Sequence, residues 1–134
     1  VFCSEDGGAS FRRLSSPYKG SFFTAELTGA RELLLAGLRG NAWKSGDLGQ
    51  TWTRLDVPMP ASITASLVLP GGQVLLTSQA GYVLRAEGDR LLPINAEALP
   101  ALNAIVAAGD ARLVALTMQG PAIVDRGNTQ KAKG

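Results

Sequence analysis

The chain has 134 residues, 46% of them hydrophobic and 18% charged, a composition that buries a core rather than staying solvated. Its 13 Lys and Arg stand against 11 Asp and Glu, and these cations are scattered rather than clustered, which argues against a nucleic-acid partner. There is no histidine and one cysteine, Cys3, which removes an internal disulfide, the usual zinc and iron ligand sets and every Ser–His or Cys–His pair, so neither cofactor nor metal is expected.

No stretch approaches the roughly 20 apolar residues of a membrane-spanning helix. The opening Val1-Phe2-Cys3 carries neither an initiating Met nor a signal-peptide pattern, so either a leader has been removed or, the reading favoured by the repeats below, the chain is cut from something longer. In chain order, residues 1–16 hold a turn, Ser4-Glu5-Asp6-Gly7-Gly8, between two short extended pieces. Residues 17–57 offer four apolar runs, at 22–27, 33–38, 42–45 and 51–56, separated by Gly- and Asn-containing turns. Residues 58–97 repeat this at 63–69, 73–78, 81–85 and 90–94, with Pro70-Gly71-Gly72 as the first turn. Residues 98–128 give three runs, at 102–107, 112–118 and 122–125, and residues 129–134 form a polar tail.

Two stretches compete for helix. Residues 30–38 read Ala-Arg-Glu-Leu-Leu-Leu-Ala-Gly-Leu, and residues 95–104 carry helix formers interrupted by Pro100. Runs such as Leu33-Leu34-Leu35-Ala36 and Ser66-Leu67-Val68-Leu69 also suit inner strands buried on both faces, which need not alternate.

The units repeat. Anchored on Gly40, Gly81 and Gly120, the steps are about 41 and 39 residues, and Phe2, Trp43, Leu84 and Ile123 fall at one equivalent position. A period near 40 with four short strands is that of a propeller blade. The expected fold is all-β, a partial propeller of about three blades of four antiparallel strands.

Within the repeat, Ser45-Gly46-Asp47-Leu48-Gly49-Gln50-Thr51-Trp52 fits Ser-x-Asp-x-Gly-x-Thr-Trp, and a looser copy stands one period earlier as Ser4-Glu5-Asp6-Gly7-Gly8-Ala9-Ser10-Phe11. A short carboxylate at Asp47 suits acceptance from the amides of its own turn. Gly49 suits a positive φ, Thr51 a hydroxyl tied back to the turn, and Trp52 an apolar face between sheets. The pattern resembles the Asp-box of BNR-repeat propellers, which include sialidases and non-enzymatic proteins similar to photosystem II stability and assembly factors. The resemblance implies that Ser4, Asp6, Gly8, Ser10, Phe11, Ser45, Asp47, Gly49, Thr51 and Trp52 are folding elements at outer hairpins, away from any ligand.

It also implies a non-catalytic protein-binding or assembly scaffold, commonly exported, periplasmic or envelope-associated. The runner-up is a fragment of a sialidase-like glycoside hydrolase. Arg39, Arg85, Tyr18, Tyr82, Glu26 and Glu32 supply the residue types for such a site, but the Arg-Ile-Pro segment typical of those enzymes is missing. In a propeller the face opposite the boxes carries the links between blades and the turns between second and third strands. Tyr18, Lys19, Arg39, Asn41 and Met59 fall there and are the partner-binding candidates. If the chain is complete, its incomplete outer blades point to a homodimer.

Overall fold

The computed structural model describes residues 1–109 and 112–125; the turn expected at 126–128 and the polar tail at 129–134 lie outside them. Four antiparallel sheets follow one another along the chain. The first holds β1 (Phe2–Cys3) and β2 (Arg12–Arg13), and the second β3 (Phe22–Leu27), β4 (Leu33–Gly37), β5 (Ala42–Ser45) and β6 (Thr53–Arg54). The third holds β7 (Ile63–Val68), β8 (Val74–Ser78), β9 (Val83–Glu87) and β10 (Arg90–Pro93). The last holds β11 (Leu102–Ala108), β12 (Arg112–Thr117) and β13 (Gly120–Asp125). In every sheet strands adjacent in sequence are adjacent in space, and the innermost strands β3, β7 and β11 pack against one another in turn. This is a partial β-propeller.

The helix readings give way. Residues 33–37 are strand, and the helical geometry nearby is a single 3-10 turn at Leu38–Gly40. The reason lies in what flanks the apolar run. β8 is buried at all five positions because its side chains alternate into two different cores. Val74 and Leu76 join Leu34, Ala36, Ala42 and Leu55 of the second sheet, with Ile63, Leu84 and Leu91. Leu75, with Leu69, Val83 and Ile94, faces Leu102, Ile105, Leu113, Ala115 and Val124 of the last sheet. An apolar run without alternation is therefore a strand between two sheets. Truncating such a side chain, Leu76→Ala for instance, costs roughly 2–5 kcal/mol through lost transfer energy and a residual cavity. At 95–104 no helix forms. Buried Asn95 pins the link instead, accepting from the Val83 amide (2.8 Å) and donating to the Gly81 carbonyl (3.0 Å).

One repeat assignment shifts. Ile123, expected beside Trp43 and Leu84, is paired with Val114, whereas Val124, paired with Leu113, enters the core shared with the third sheet. The cause is the turn between second and third strands. Ala36↔Ala42 and Thr77↔Val83 each span five residues, but Thr117↔Gly120 spans two, Met118 and Gln119. A changed turn length moves the register, and an odd shift swaps the faces. The run expected at 51–56 contracts to Thr53–Arg54 because residues 46–52 are taken up by the preceding turn.

Candidate partner-binding face

The two ends of each sheet are built differently. At one end Ser45 and Asp47 close the β5–β6 connection with side chains. The Ser45 hydroxyl donates to Asp47 Oδ1 (2.7 Å) and accepts from the Gly49 amide (2.8 Å). Asp47 Oδ1 also accepts from the Thr51 amide (2.8 Å), and Oδ2 accepts from the Thr51 hydroxyl (2.5 Å). Gly49, at φ 86°, lies so close to Leu14 and Trp52 that a Cβ there would meet Leu14 Cδ1 at 2.6 Å. Trp52 Nε1 donates to the Ser15 carbonyl (3.0 Å), tying the second sheet to the first.

Ser4, Asp6, Gly8 and Ser10 repeat the same bonds. Ser4 Oγ donates to Asp6 Oδ1 (2.8 Å) and accepts from Gly8 N (2.8 Å), while the Ser10 amide and hydroxyl donate to Asp6 (2.9 and 2.5 Å). Phe11, in the place of Trp52, is exposed. Both carboxyls are lowered from 3.8 to about 2, foremost by the Ser10 or Thr51 hydroxyl, then by that residue's amide and the Ser4 or Ser45 hydroxyl. All these bonds stay inside the turn, so neither aspartate offers a free oxygen pair to a ligand. Among the described residues no three His, Cys, Asp or Glu side chains cluster as a metal site.

The opposite end gathers the turns between second and third strands with the links entering the inner strands. Leu38 N donates to the Ser21 carbonyl, Gln79 N to Ser62, Leu99 N to Gly81 and Met118 N to Ala101, each at 2.9 Å. Close approach requires glycine at two anchors of the repeat. A Cβ at Gly40 would meet the Met59 carbonyl at 2.7 Å, and one at Gly81 the Leu99 carbonyl at 1.9 Å. At Gly120 it would meet open space, in keeping with the shorter turn there.

The sequence-derived candidates separate on this face. Arg39 and Met59 line one groove of about 440 Å³, together with Arg54, Leu55, Asp56, Val57 and the prolines Pro58 and Pro60. Arg39 holds its exposed side chain from a left-handed backbone, φ 58°, uncommon for a residue with a Cβ, while its amide donates to Ser62 Oγ (3.1 Å). Half-buried Met59 packs against the core between second and third sheets. Asn41 is only 8% exposed, and its amide group donates to the Leu38 carbonyl (3.2 Å), so it supports the turn from beneath. Tyr18 and Lys19 do not line the groove. Tyr18 stacks edge-on against Phe22 (6.1 Å between centroids), and Lys19 is exposed beside it.

Sequence reasoning missed Arg54, whose guanidinium lies 5.9 Å from the Trp43 ring centroid and lines the groove. The nearby Trp43 Nε1 is buried without a hydrogen-bond partner. The signal was present, since Arg54 directly precedes the Leu55-Asp56-Val57-Pro58 link, but only the fold brings it beside Arg39. Neither arginine forms an ion pair with a described residue. The residue types of a glycosidase site do not meet one another. Glu26 accepts from Ser66 (2.6 Å), Arg85 pairs with Glu87 (2.9 Å), Glu32 accepts from Thr28 (3.4 Å), and no hydrogen bond joins any two of Tyr18, Glu26, Glu32, Arg39, Tyr82 and Arg85.

No protein-family model matches the chain, and no curated protein matches it either. Its fold is similar to a solved structure described as YCF48 bound to D1 peptide, with a TM-score of 0.69 at 19% identity. That match covers 98% of this chain and 46% of the other, so the chain spans about half the length of its structural neighbour.

Proposed function

We propose that this chain is a non-catalytic protein-binding scaffold whose partner seats on the face opposite the two Ser/Asp turns. In this reading those turns are Asp-boxes that hold the blades, and the protein is exported or envelope-associated, as scaffolds of this kind commonly are. The observation that carries the reading is the groove at Arg39, Arg54 and Met59, where two guanidinium groups without ion-pair partners among the described residues flank half-buried apolar side chains. Such a lining suits a peptide segment presenting a carboxylate next to an apolar side chain, and Arg and Met are residue types enriched at protein interfaces. The structural neighbour was solved with a peptide bound, which supports the same class of ligand.

The test is selection from a displayed random-peptide library, followed by calorimetry on the enriched peptides. Enrichment of acidic-apolar sequences is expected, with at least about tenfold weaker binding, roughly 1.4 kcal/mol, in the Arg39→Glu/Arg54→Glu double variant. No enrichment, or equal binding by a double variant with an unchanged unfolding midpoint, would overturn the assignment.

A further inference from the structure

The second and third sheets turn from their second strand to their third in five residues each, 37–41 and 78–82. Two bonds are common to both turns. Gly37 N donates to the Asn41 carbonyl and Ser78 N to that of Tyr82, while Leu38 N and Gln79 N donate to the Ser21 and Ser62 carbonyls of the adjoining links. The two turns differ at their third residue. In the third sheet the Ala80 amide donates to the Ser78 hydroxyl inside the turn (3.1 Å), and Ala80 keeps a negative φ. In the second sheet no hydroxyl can stand at the place of Ser78, because a Cβ at Gly37 would meet the Ser21 carbonyl at 2.3 Å. The Arg39 amide reaches out of the turn instead, to Ser62 Oγ of the link entering the third sheet (3.1 Å), and Arg39 stands at φ 58°.

A left-handed backbone is costly for a residue with a Cβ. Among the described residues only Leu48 shares it outside glycine, and there the turn demands it, since the equivalent residue of the first Ser/Asp turn is Gly7 at φ 71°. The five-residue turn makes no such demand, as Ala80 shows. Nor does the Arg39 side chain contribute to the fold, being exposed and without an ion pair or side-chain hydrogen bond to a described residue. What the strained turn achieves is placement, with Arg39 set on the groove beside Arg54, Val57 and Met59. Ser62 is itself fixed, its carbonyl accepting from Gln79 N (2.9 Å) while its hydroxyl accepts from Arg39.

We propose that Arg39 is the specificity-determining residue of the groove and Ser62 its positioning residue, holding the strained turn so that a ligand carboxylate meets an arginine already in place. This rests on the partner-binding reading and adds to it the residue that tells a carboxylate from its uncharged isostere. Fixing a donor before binding lowers the ordering cost of the complex. Discrimination follows from the pairing, because a carboxamide turns an N–H toward a guanidinium that can only donate.

The experiment compares two peptides blocked at both ends, Leu-Glu-Leu-Glu-Leu and Leu-Gln-Leu-Gln-Leu, by calorimetry, with thermal unfolding of each variant alongside. Wild type is expected to prefer the acidic peptide by at least about tenfold. Ser62→Ala, which keeps every charge, is expected to lose most of that preference, and Ser62→Thr, which keeps the hydroxyl, to retain it. Arg39→Gly and Arg39→Ala should both lose it, yet Arg39→Gly should unfold roughly 4 °C above Arg39→Ala, since glycine takes the left-handed backbone freely. A wild type that binds neither peptide overturns the partner-binding reading and this proposal with it. Equal binding of both peptides by wild type, a preference that survives in Ser62→Ala or is lost in Ser62→Thr, or an Arg39→Gly chain unfolding no higher than Arg39→Ala, overturns the proposal alone.

Discussion

The second and third sheets turn from their third strand to their fourth by different means. In the second, eight residues separate Lys44 from Thr53, strand pairing stops at two positions, and the loop is held by the Ser45–Asp47–Thr51 side-chain bonds. In the third, Glu87 pairs directly with Arg90 across Gly88-Asp89, and four positions are paired. Gly88 takes φ 59° while Asp89 keeps a negative φ, the pattern of a II′ hairpin, whose twist matches that of the strands. One turn is therefore a polar network that ties a loop to the next sheet, with Gly49 and Trp52 against Leu14 and Ser15, and the other is the shortest backbone route. The two hairpins touch. Lys44 of the long one forms an ion pair with Asp89 of the short one, and donates to the Gly88 carbonyl (3.2 Å).

If the long turn stands on its carboxylate, Asp47→Ala is the most damaging substitution in either hairpin. It strips the acceptor from the Thr51 amide and hydroxyl and the Ser45 hydroxyl together, and a clear drop in the thermal midpoint is expected. Asp6→Ala should cost less, since Phe11, in the place of Trp52, is exposed, whereas Trp52 is tied to Ser15. Equal losses from the two would show that contact with Leu14 and Ser15 adds nothing.

Acid sharpens the contrast. Because the folded-state value of Asp47 is depressed, its contribution is present in full above the unfolded value of 3.8 and is lost as the pH falls toward about 2. The midpoint should therefore drop between pH 4 and pH 2, and Asp47→Asn, measured by thermal scans at both pH values, should drop less. An unchanged slope would break the argument.

The short hairpin is expected to respond to its backbone instead. Gly88→Ala forces a Cβ onto a left-handed residue in otherwise open space and should cost about 1 kcal/mol in denaturant unfolding, with no dependence on pH between 4 and 2. The smallest effect belongs to the link between the two. Lys44→Ala removes an ion pair whose side chains are 41% and 68% exposed and should change stability by less than about 1 kcal/mol, fading further at high salt.

Much of this was legible before any coordinates. The spacing of Gly40 and Gly81 carried the period, and both glycines prove necessary because the following link passes within contact of the turn. The Ser-x-Asp-x-Gly-x-Thr pattern carried the long turn, since every bond in it joins residues two to four positions apart. The same reasoning failed at Ile123, where a turn shortened to two residues shifted the face that sequence spacing assigned. Of the five partner-binding candidates, Arg39 and Met59 share a groove, Asn41 is consumed by its own turn, and Tyr18 and Lys19 stand apart. Arg54 joined Arg39 unannounced.

Sequence by itself determined the strands, their period and the two Ser/Asp turns, because these rest on interactions between near neighbours in the chain. Tertiary structure alone decided which face each strand turns to which core and which cations share a groove. Those depend on residues about 40 positions apart meeting across sheets, and no local pattern encodes the angle at which one sheet meets the next.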